Sequence, residues 1–177
     1  MERGVRRAAV GVSIVAVWVA ALSGCGGPAR GPRVGEPMAD YAAATLDGDT
    51  VSLASLRGEV VLLNLWATWC IPCQTETPYL QSIFEAYRDR GLHVVGVSQD
   101  VGDAEGDIAA FVEEYGVTYT VLHDPLMRGV DLYRAIGLPG SFLIDGEGVL
   151  RWMQYGPIRE GDAVFLRALD DVLSRVQ

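Results

Sequence analysis

The hydrophobic and polar positions of the chain change period along its length, which predicts strands and helices in alternation. Residues 60–67, VVLLNLWA, are almost continuously apolar, as expected of a central strand covered on both faces. The following apolar positions recur at helical spacing and predict a helix that runs to about Arg90 and stops at Gly91. Pro78 lies inside this helix, where a proline is expected to produce a kink.

The rest of the pattern predicts a sheet of mixed direction. Residues 41–53 form a hairpin around an Asp-Gly-Asp turn. Further strands are predicted at 92–98, 120–122, 141–144 and 149–155, and further helices around 108–115, at 127–136 and at 164–173. Strands alternating with helices indicate an α/β fold, and the closing hairpin adds antiparallel strands to it.

The first residues follow a different pattern. MERGVRR is basic, and residues 8–22 then run for fifteen positions without a charge, which is typical of a secretory signal. A membrane-spanning helix needs about 20 apolar residues. The end of the stretch, Leu-Ser-Gly-Cys25, resembles the bacterial lipoprotein signal, in which the cysteine is lipidated. We therefore predict a signal peptide over 1–24, a flexible tether over 25–36 and one domain over 37–177; an ordinary cleavage site and an uncleaved anchor are the alternatives.

Composition and charge restrict the partners. Half of the 177 residues are hydrophobic and 21% are charged, which is typical of a folded globular domain. The formal net charge is −9, and no run of arginines follows residue 33. Nucleic acid is therefore not an expected partner, since phosphate binding needs clustered positive charge.

The segment WATWCIPCQTETP, residues 66–78, places Cys70 and Cys73 two residues apart. Structural zinc needs four protein ligands, whereas His93 and His123 have no ligand spacing to this pair, so we predict no metal and no cofactor. Both histidines are interpreted as structural groups. A disulfide between the two cysteines would close a very short loop and add little stability, so the spacing favours a reactive pair over a structural crosslink.

The position of the pair at a strand-to-helix junction predicts redox chemistry. A helix amino terminus carries free N–H groups and partial positive charge, and both favour a thiolate at Cys70. Cys70 is then the nucleophile, and Cys73, one turn further in, resolves the mixed disulfide. Pro72 is compatible with the first helical turn, where its missing N–H costs no hydrogen bond.

The motif Trp69-Cys-Ile-Pro-Cys73 resembles the thioredoxin active site, and NLWATWCIPCQTETP is similar to the TlpA/ResA/DsbE branch of that superfamily. The resemblance extends over residues 34–175. It implies a thioredoxin-like fold, with a central mixed sheet flanked by helices, an N-terminal β-hairpin and an inserted helix. It also implies a membrane-tethered, extracytoplasmic thiol–disulfide oxidoreductase. Such an enzyme would reduce disulfides in partner proteins, for example apocytochrome c or a copper-site assembly protein, with electrons from a membrane thiol donor.

The resemblance also assigns individual residues. LPGSFLID, residues 138–145, matches the segment with the family's cis-proline, which makes Pro139 the candidate; the family usually has threonine next, where this chain has Gly140. Asn64 replaces the buried aspartate of ordinary thioredoxins. Glu76 matches the glutamate of the branch's CxxCxxE pattern, and we hypothesise that it handles the proton of Cys73; the alternative is a solvated helix glutamate.

Two tryptophans flank the motif. Trp66 is expected to pack beneath the site, and Trp69 is expected to contact a partner.

Two other functions occur on the same fold. A peroxiredoxin-type peroxidase would need threonine or serine three residues before its cysteine, where this chain has Ala67. A non-enzymatic copper carrier would have three residues between its cysteines and a distal histidine, whereas this chain has two. The sequence therefore favours the oxidoreductase.

Overall fold

The computed structural model of the chain describes Met1 and residues 31–175. Apart from Met1, the predicted signal peptide lies outside the described residues, and so does Cys25. Within the described ranges, no helix is both long enough and apolar enough to cross a membrane.

In the part of the chain that the structure describes, seven strands form one mixed sheet in the order β2-β1-β5-β4-β3-β6-β7. The strands are β1 (Ala42–Thr45), β2 (Thr50–Ser52), β3 (Val60–Trp66), β4 (Leu92–Ser98), β5 (Thr120–His123), β6 (Gly140–Ile144) and β7 (Leu150–Tyr155). Strand β3 pairs parallel to β4 and antiparallel to β6. The sheet confirms the predicted α/β class, and the antiparallel pairing of β1 with β2 confirms the N-terminal hairpin.

Between residues 31 and 175, four α-helices connect or flank the strands: α1 (Ile71–Tyr87), α2 (Glu105–Glu114), α3 (Arg128–Tyr133) and α4 (Ala163–Leu173). Helix α1 ends three residues earlier than predicted, because residues 88–90 tighten into a 3₁₀ turn. Gly91 then ends the segment with a φ of 92°, a left-handed conformation that favours glycine. The predicted helix over 127–136 is shorter than expected, because Arg134 adopts a left-handed φ of 51°.

The apolar residues of β3 divide between the two faces of the sheet. Val61, Leu63 and Leu65 pack into one core together with Tyr133 and Phe142. Val60 and Leu62 face the other side, where residues of α1 and α4 cover them. Because every residue of β3 is buried, the end of this strand is a fixed base for the segment that follows it.

The residues just before the domain are attached to the sheet. The Gly35 N–H donates to the Leu150 carbonyl at 2.8 Å, and the Leu150 N–H donates to the Glu36 carbonyl at 3.0 Å. The end of the tether predicted over 25–36 is therefore bound along the start of β7.

Candidate active site

Cys70 and Cys73 are joined by a disulfide at the amino end of α1, with an S–S distance of 2.09 Å and Cα atoms 5.2 Å apart. Cys70 is the N-cap residue of the helix, and its Sγ accepts a hydrogen bond from the Cys73 N–H at 3.3 Å. Both are buried, Cys70 at 4% exposure and Cys73 at 1%. The geometry therefore places the Cys70 sulfur where helix N–H groups stabilise a negative charge.

The local sequence explains this placement. Strand β3 ends at Trp66, and the Cys70 N–H closes a turn onto the Ala67 carbonyl at 3.1 Å. The helix begins at the next residue, with Pro72 in its first turn, where no N–H partner is needed. The turn therefore carries the chain directly from the buried strand to the redox pair.

A cis peptide bond joins Leu138 to Pro139, immediately before β6. Because Gly140 pairs with Leu65 near the end of β3, Pro139 lies at the same edge of the sheet as the disulfide. A Cβ atom at Gly140 would meet Tyr155 Cδ1 at 3.6 Å, which is an ordinary contact. A Cβ would also lie 3.7 Å from the Gly137 carbonyl oxygen, so a small side chain would fit here in contact with its neighbours.

Behind the disulfide, Glu76 lies in a buried polar cluster. It is 2% exposed, so it is not a solvated helix residue. Its Oε1 accepts from the Ile158 N–H at 2.6 Å, and its Oε2 accepts from Asn64 Nδ2 at 3.1 Å. Burial raises the pKa of Glu76 to about 7, although both of these hydrogen bonds favour the ionised form. The same Asn64 nitrogen lies 2.9 Å from Ser141 Oγ, its partner in the β3–β6 register.

Two grooves open on either side of the motif. One, of about 530 Å³, is lined by Cys70, Trp69, Leu138 and Ile136. The other, of about 770 Å³, contains Glu76 in its wall. Ile71 and Pro72, the two residues between the cysteines, line both grooves. They form a ridge that separates the apolar groove beside Cys70 from the groove beside Glu76.

The comparisons with known proteins agree with this geometry. Residues 34–153 match the model of the AhpC/TSA family. The chain belongs to this family. The thiol-disulfide oxidoreductase ResA of Oceanobacillus iheyensis is 35% identical over 130 residues, which are 71% of this chain and 67% of that protein. ResA of Geobacillus kaustophilus is 31% identical over 129 residues, 73% of each chain.

A solved structure extends the likeness to the fold. A candidate DsbE-type thiol:disulfide interchange protein from Chlorobium tepidum superposes with a TM-score of 0.74 at 30% identity, over 80% of this chain and 99% of that one. The similarity to the ResA/DsbE branch predicted from the cysteine motif is thus confirmed, and the chain is a thiol–disulfide oxidoreductase of this type.

The two tryptophans of this oxidoreductase occupy different environments. Trp66 is buried, and its ring lies 4.5 Å from that of Phe111, beside the cysteines. Trp69 is 64% exposed and lies with Ile71, 73% exposed, and Ile136, 86% exposed, near the Cys70 sulfur. An exposed apolar rim of this kind is typical of a surface that contacts another molecule.

Both histidines have polar partners. His93 Nδ1 contacts Glu59. His123 lies at the end of β5, with Nδ1 3.2 Å from Glu105 Oε1 and Nε2 2.9 Å from the Asp100 carbonyl oxygen. In the part of the chain that the structure describes, no three His, Cys, Asp or Glu side chains are grouped so that they could hold a metal ion.

Sequence reasoning missed several residues of the site. The sequence contained a signal for Ser141, because it is a polar residue in a short apolar strand. Asn64, its partner in the register, is likewise polar within the apolar strand β3. The backbone N–H of Ile158 had no such signal, because every residue except proline would supply it. Asp100 follows β4 by two positions, and the structure shows it bound to the turn before Cys70. The sequence separation of 32 residues hides that contact.

Proposed function

We propose that this chain is an extracytoplasmic, membrane-anchored oxidoreductase that reduces disulfides in partner proteins, as in cytochrome c maturation or a related assembly process. The observation that carries the proposal is the redox pair at the amino end of α1, beside cis-Pro139 and an apolar groove, with a buried acid behind it. A reductase needs a nucleophilic sulfur facing its substrate and a proton acceptor near the second sulfur.

In the first step, the Cys70 thiolate attacks one sulfur of a disulfide in the partner protein. The partner's S–S bond breaks, its other sulfur leaves as a thiolate, and a mixed disulfide joins Cys70 to the partner. Cys70 fits this role because it lines the apolar groove. Pro139 precedes β6 at the same edge of the sheet as the disulfide, and we assign it the role of a wall against which the partner backbone lies.

In the second step, the Cys73 thiolate attacks the Cys70 sulfur and releases the partner as a dithiol. The pair of electrons has then passed to the partner, and the Cys70–Cys73 disulfide is formed. Glu76 follows Cys73 by three residues on α1, so both lie on the same side of the helix. With a pKa raised to about 7 by burial, Glu76 is suited to accept the Cys73 proton near neutral pH.

Four further residues support these steps. Asn64 orients the Glu76 carboxylate by a hydrogen bond, and Pro72 fixes the first turn of the helix. Trp66 supports the cysteines from within the core, and exposed Trp69 contacts the partner. Each partner reduced leaves the chain oxidised by two electrons, so a membrane thiol donor must return them.

The proposed anchor is a lipid on Cys25. Substituting Cys25→Ser should release the protein from the membrane, since a serine at this position provides no thiol for lipid attachment. Fractionation of cells that produce each form measures this, with the protein detected in membrane and soluble fractions. Equal membrane association of the two forms would contradict the lipid anchor and leave the disulfide chemistry untouched.

The reduction potential of the Cys70–Cys73 couple tests the direction of electron flow. We expect a value near that of thioredoxin, about −270 mV, because a reductase must be oxidised more readily than its substrate. Equilibration of residues 31–177 with defined dithiol and disulfide mixtures measures it, with Cys70→Ser as the control without a couple. A value near that of DsbA, about −120 mV, would indicate an oxidant and contradict the reductase.

A further inference from the structure

Thr68 has every one of its polar groups bound, although it lies in a turn between a strand and a helix. Its N–H lies 3.0 Å from Asp100 Oδ2, and its hydroxyl donates to Asp100 Oδ1 at 2.7 Å. Its carbonyl accepts from Gln74 Nε2 at 2.8 Å. We refer to Asp100 and Gln74 together as the Thr68 clamp.

The Asp100 half of the clamp is itself held in place. Asp100 is 5% exposed, and its Oδ2 accepts from Ser98 Oγ at 2.7 Å. Its backbone carbonyl lies 2.9 Å from His123 Nε2, and the other nitrogen of that ring faces Glu105. The clamp therefore connects the turn before Cys70 to the ends of β4 and β5, and the charged or titratable groups around it are Asp100, His123 and Glu105.

We propose that the Thr68 clamp is a positioning device that holds Cys70 at the N-cap of α1 and thereby shifts the Cys70–Cys73 equilibrium toward the dithiol. The inference rests on the role of Cys70 as the nucleophile under the proposed function. Cys70 follows Thr68 by two residues, and its N–H closes the same turn onto Ala67. Fixing Thr68 at three points leaves that turn little freedom.

The expected effect has a definite sign. In the disulfide form, the Cys73 N–H donates to Cys70 Sγ at 3.3 Å. In the reduced protein, the N–H groups at this end of the helix would stabilise a Cys70 thiolate. A looser turn weakens this contact, so the thiol becomes less acidic and the dithiol form less stable. Asp100 carries a negative charge that would act in the opposite direction, so the informative substitution keeps Asp100 and changes Thr68.

The test compares Thr68→Val with Thr68→Ser, which keeps the hydroxyl. Thr75→Val is the matched control, because exposed Thr75 bonds the Ile71 carbonyl within the same helix. Two quantities are measured: the equilibrium constant with glutathione, and the pH dependence of Cys70 alkylation in the reduced protein. For T68V we expect about a fivefold shift toward the disulfide and a similar loss of alkylation rate in acid, as for one net hydrogen bond. That fivefold shift corresponds to about 20 mV.

Wild-type behaviour of T68S and T75V beside a shifted T68V would support the inference. A cooperatively melting T68V with an unchanged equilibrium and pH profile would overturn it. If T68V does not fold cooperatively, Gln74→Met removes the other half of the clamp, and an unchanged equilibrium there overturns the inference equally. Failure of the wild-type protein to reduce protein disulfides would contradict the proposed function, yet the glutathione comparison would still decide the clamp.

Discussion

Replacing Cys70 by serine should reduce disulfide exchange to the uncatalysed background, whereas Cys73→Ser should accumulate a mixed disulfide with the partner. A serine hydroxyl is not ionised near neutral pH, so Cys70→Ser has no nucleophile at the groove. In Cys73→Ser the first attack proceeds, but no second thiolate releases the partner. Non-reducing electrophoresis and mass spectrometry, with a disulfide-bearing protein as substrate, measure both outcomes.

The structure explains why the two cysteines should differ so strongly. Both sulfur-bearing residues are buried, Cys70 at 4% exposure and Cys73 at 1%, but of the two only Cys70 lines the apolar groove. A Cys70→Ser, Cys73→Ser double variant is the control and should form no mixed disulfide. A covalent partner complex formed by Cys70→Ser would show that Cys73 attacks first, and the assigned order would be wrong.

The elements that position the pair were predictable because their sequence signals are local. The almost continuous apolar run of β3 requires cover on both faces, and every residue of the strand is buried. The apolar spacing of α1, with Gly91 behind it, predicts a helix with a defined end. The α-helix ends slightly earlier than predicted because its last turn tightens into a 3₁₀ turn. The choice between these two conformations depends on only a few residues.

The polar partners of the site were less predictable, because their contacts join distant parts of the chain. Glu76 was identified by its place in a motif, but its burial depends on the segment before α4, which supplies the Ile158 N–H. The contact of Asp100 with Thr68 depends on β4 lying directly beside β3. Such contacts follow from the strand order of the whole sheet, and the sequence around either residue contains no sign of them.

Glu76→Gln should slow release of the mixed disulfide by about 100-fold or more and flatten its pH dependence near neutrality, since general acid–base groups typically contribute that much. The amide keeps the shape of the side chain but cannot take the Cys73 proton. Glu85→Gln is the matched control, because Glu85 is an exposed glutamate on the same helix. Single-turnover release, followed across pH with a preformed mixed disulfide, measures the effect. Equal pH profiles for wild type and Glu76→Gln would remove the proton-handling role.

The same substitution should change how the free energy of unfolding depends on pH. Burial raises the pKa of Glu76 in the folded state to about 7, above the ordinary glutamate value of 4.5, so the folded state binds the proton more tightly than the unfolded state does. The tighter binding of this proton stabilises the folded state. The stabilisation is fully present below about pH 4.5 and is lost as the pH rises through 7. At 1.36 kcal/mol per pH unit, the loss amounts to roughly 3 kcal/mol.

Glu76→Gln should lack this loss, and denaturant unfolding of the oxidised proteins at pH 4.5 and pH 8 measures the difference. The two readouts separate two roles of the acid. A buried glutamate with a purely structural role would alter the pH dependence of stability and leave that of mixed-disulfide release unchanged. If Glu76 accepts the Cys73 proton, the substitution changes the pH dependence of stability and that of mixed-disulfide release. Both effects have one cause, since the desolvation that makes ionised Glu76 destabilise the fold also raises its pKa into the range where it exchanges a proton with a thiol.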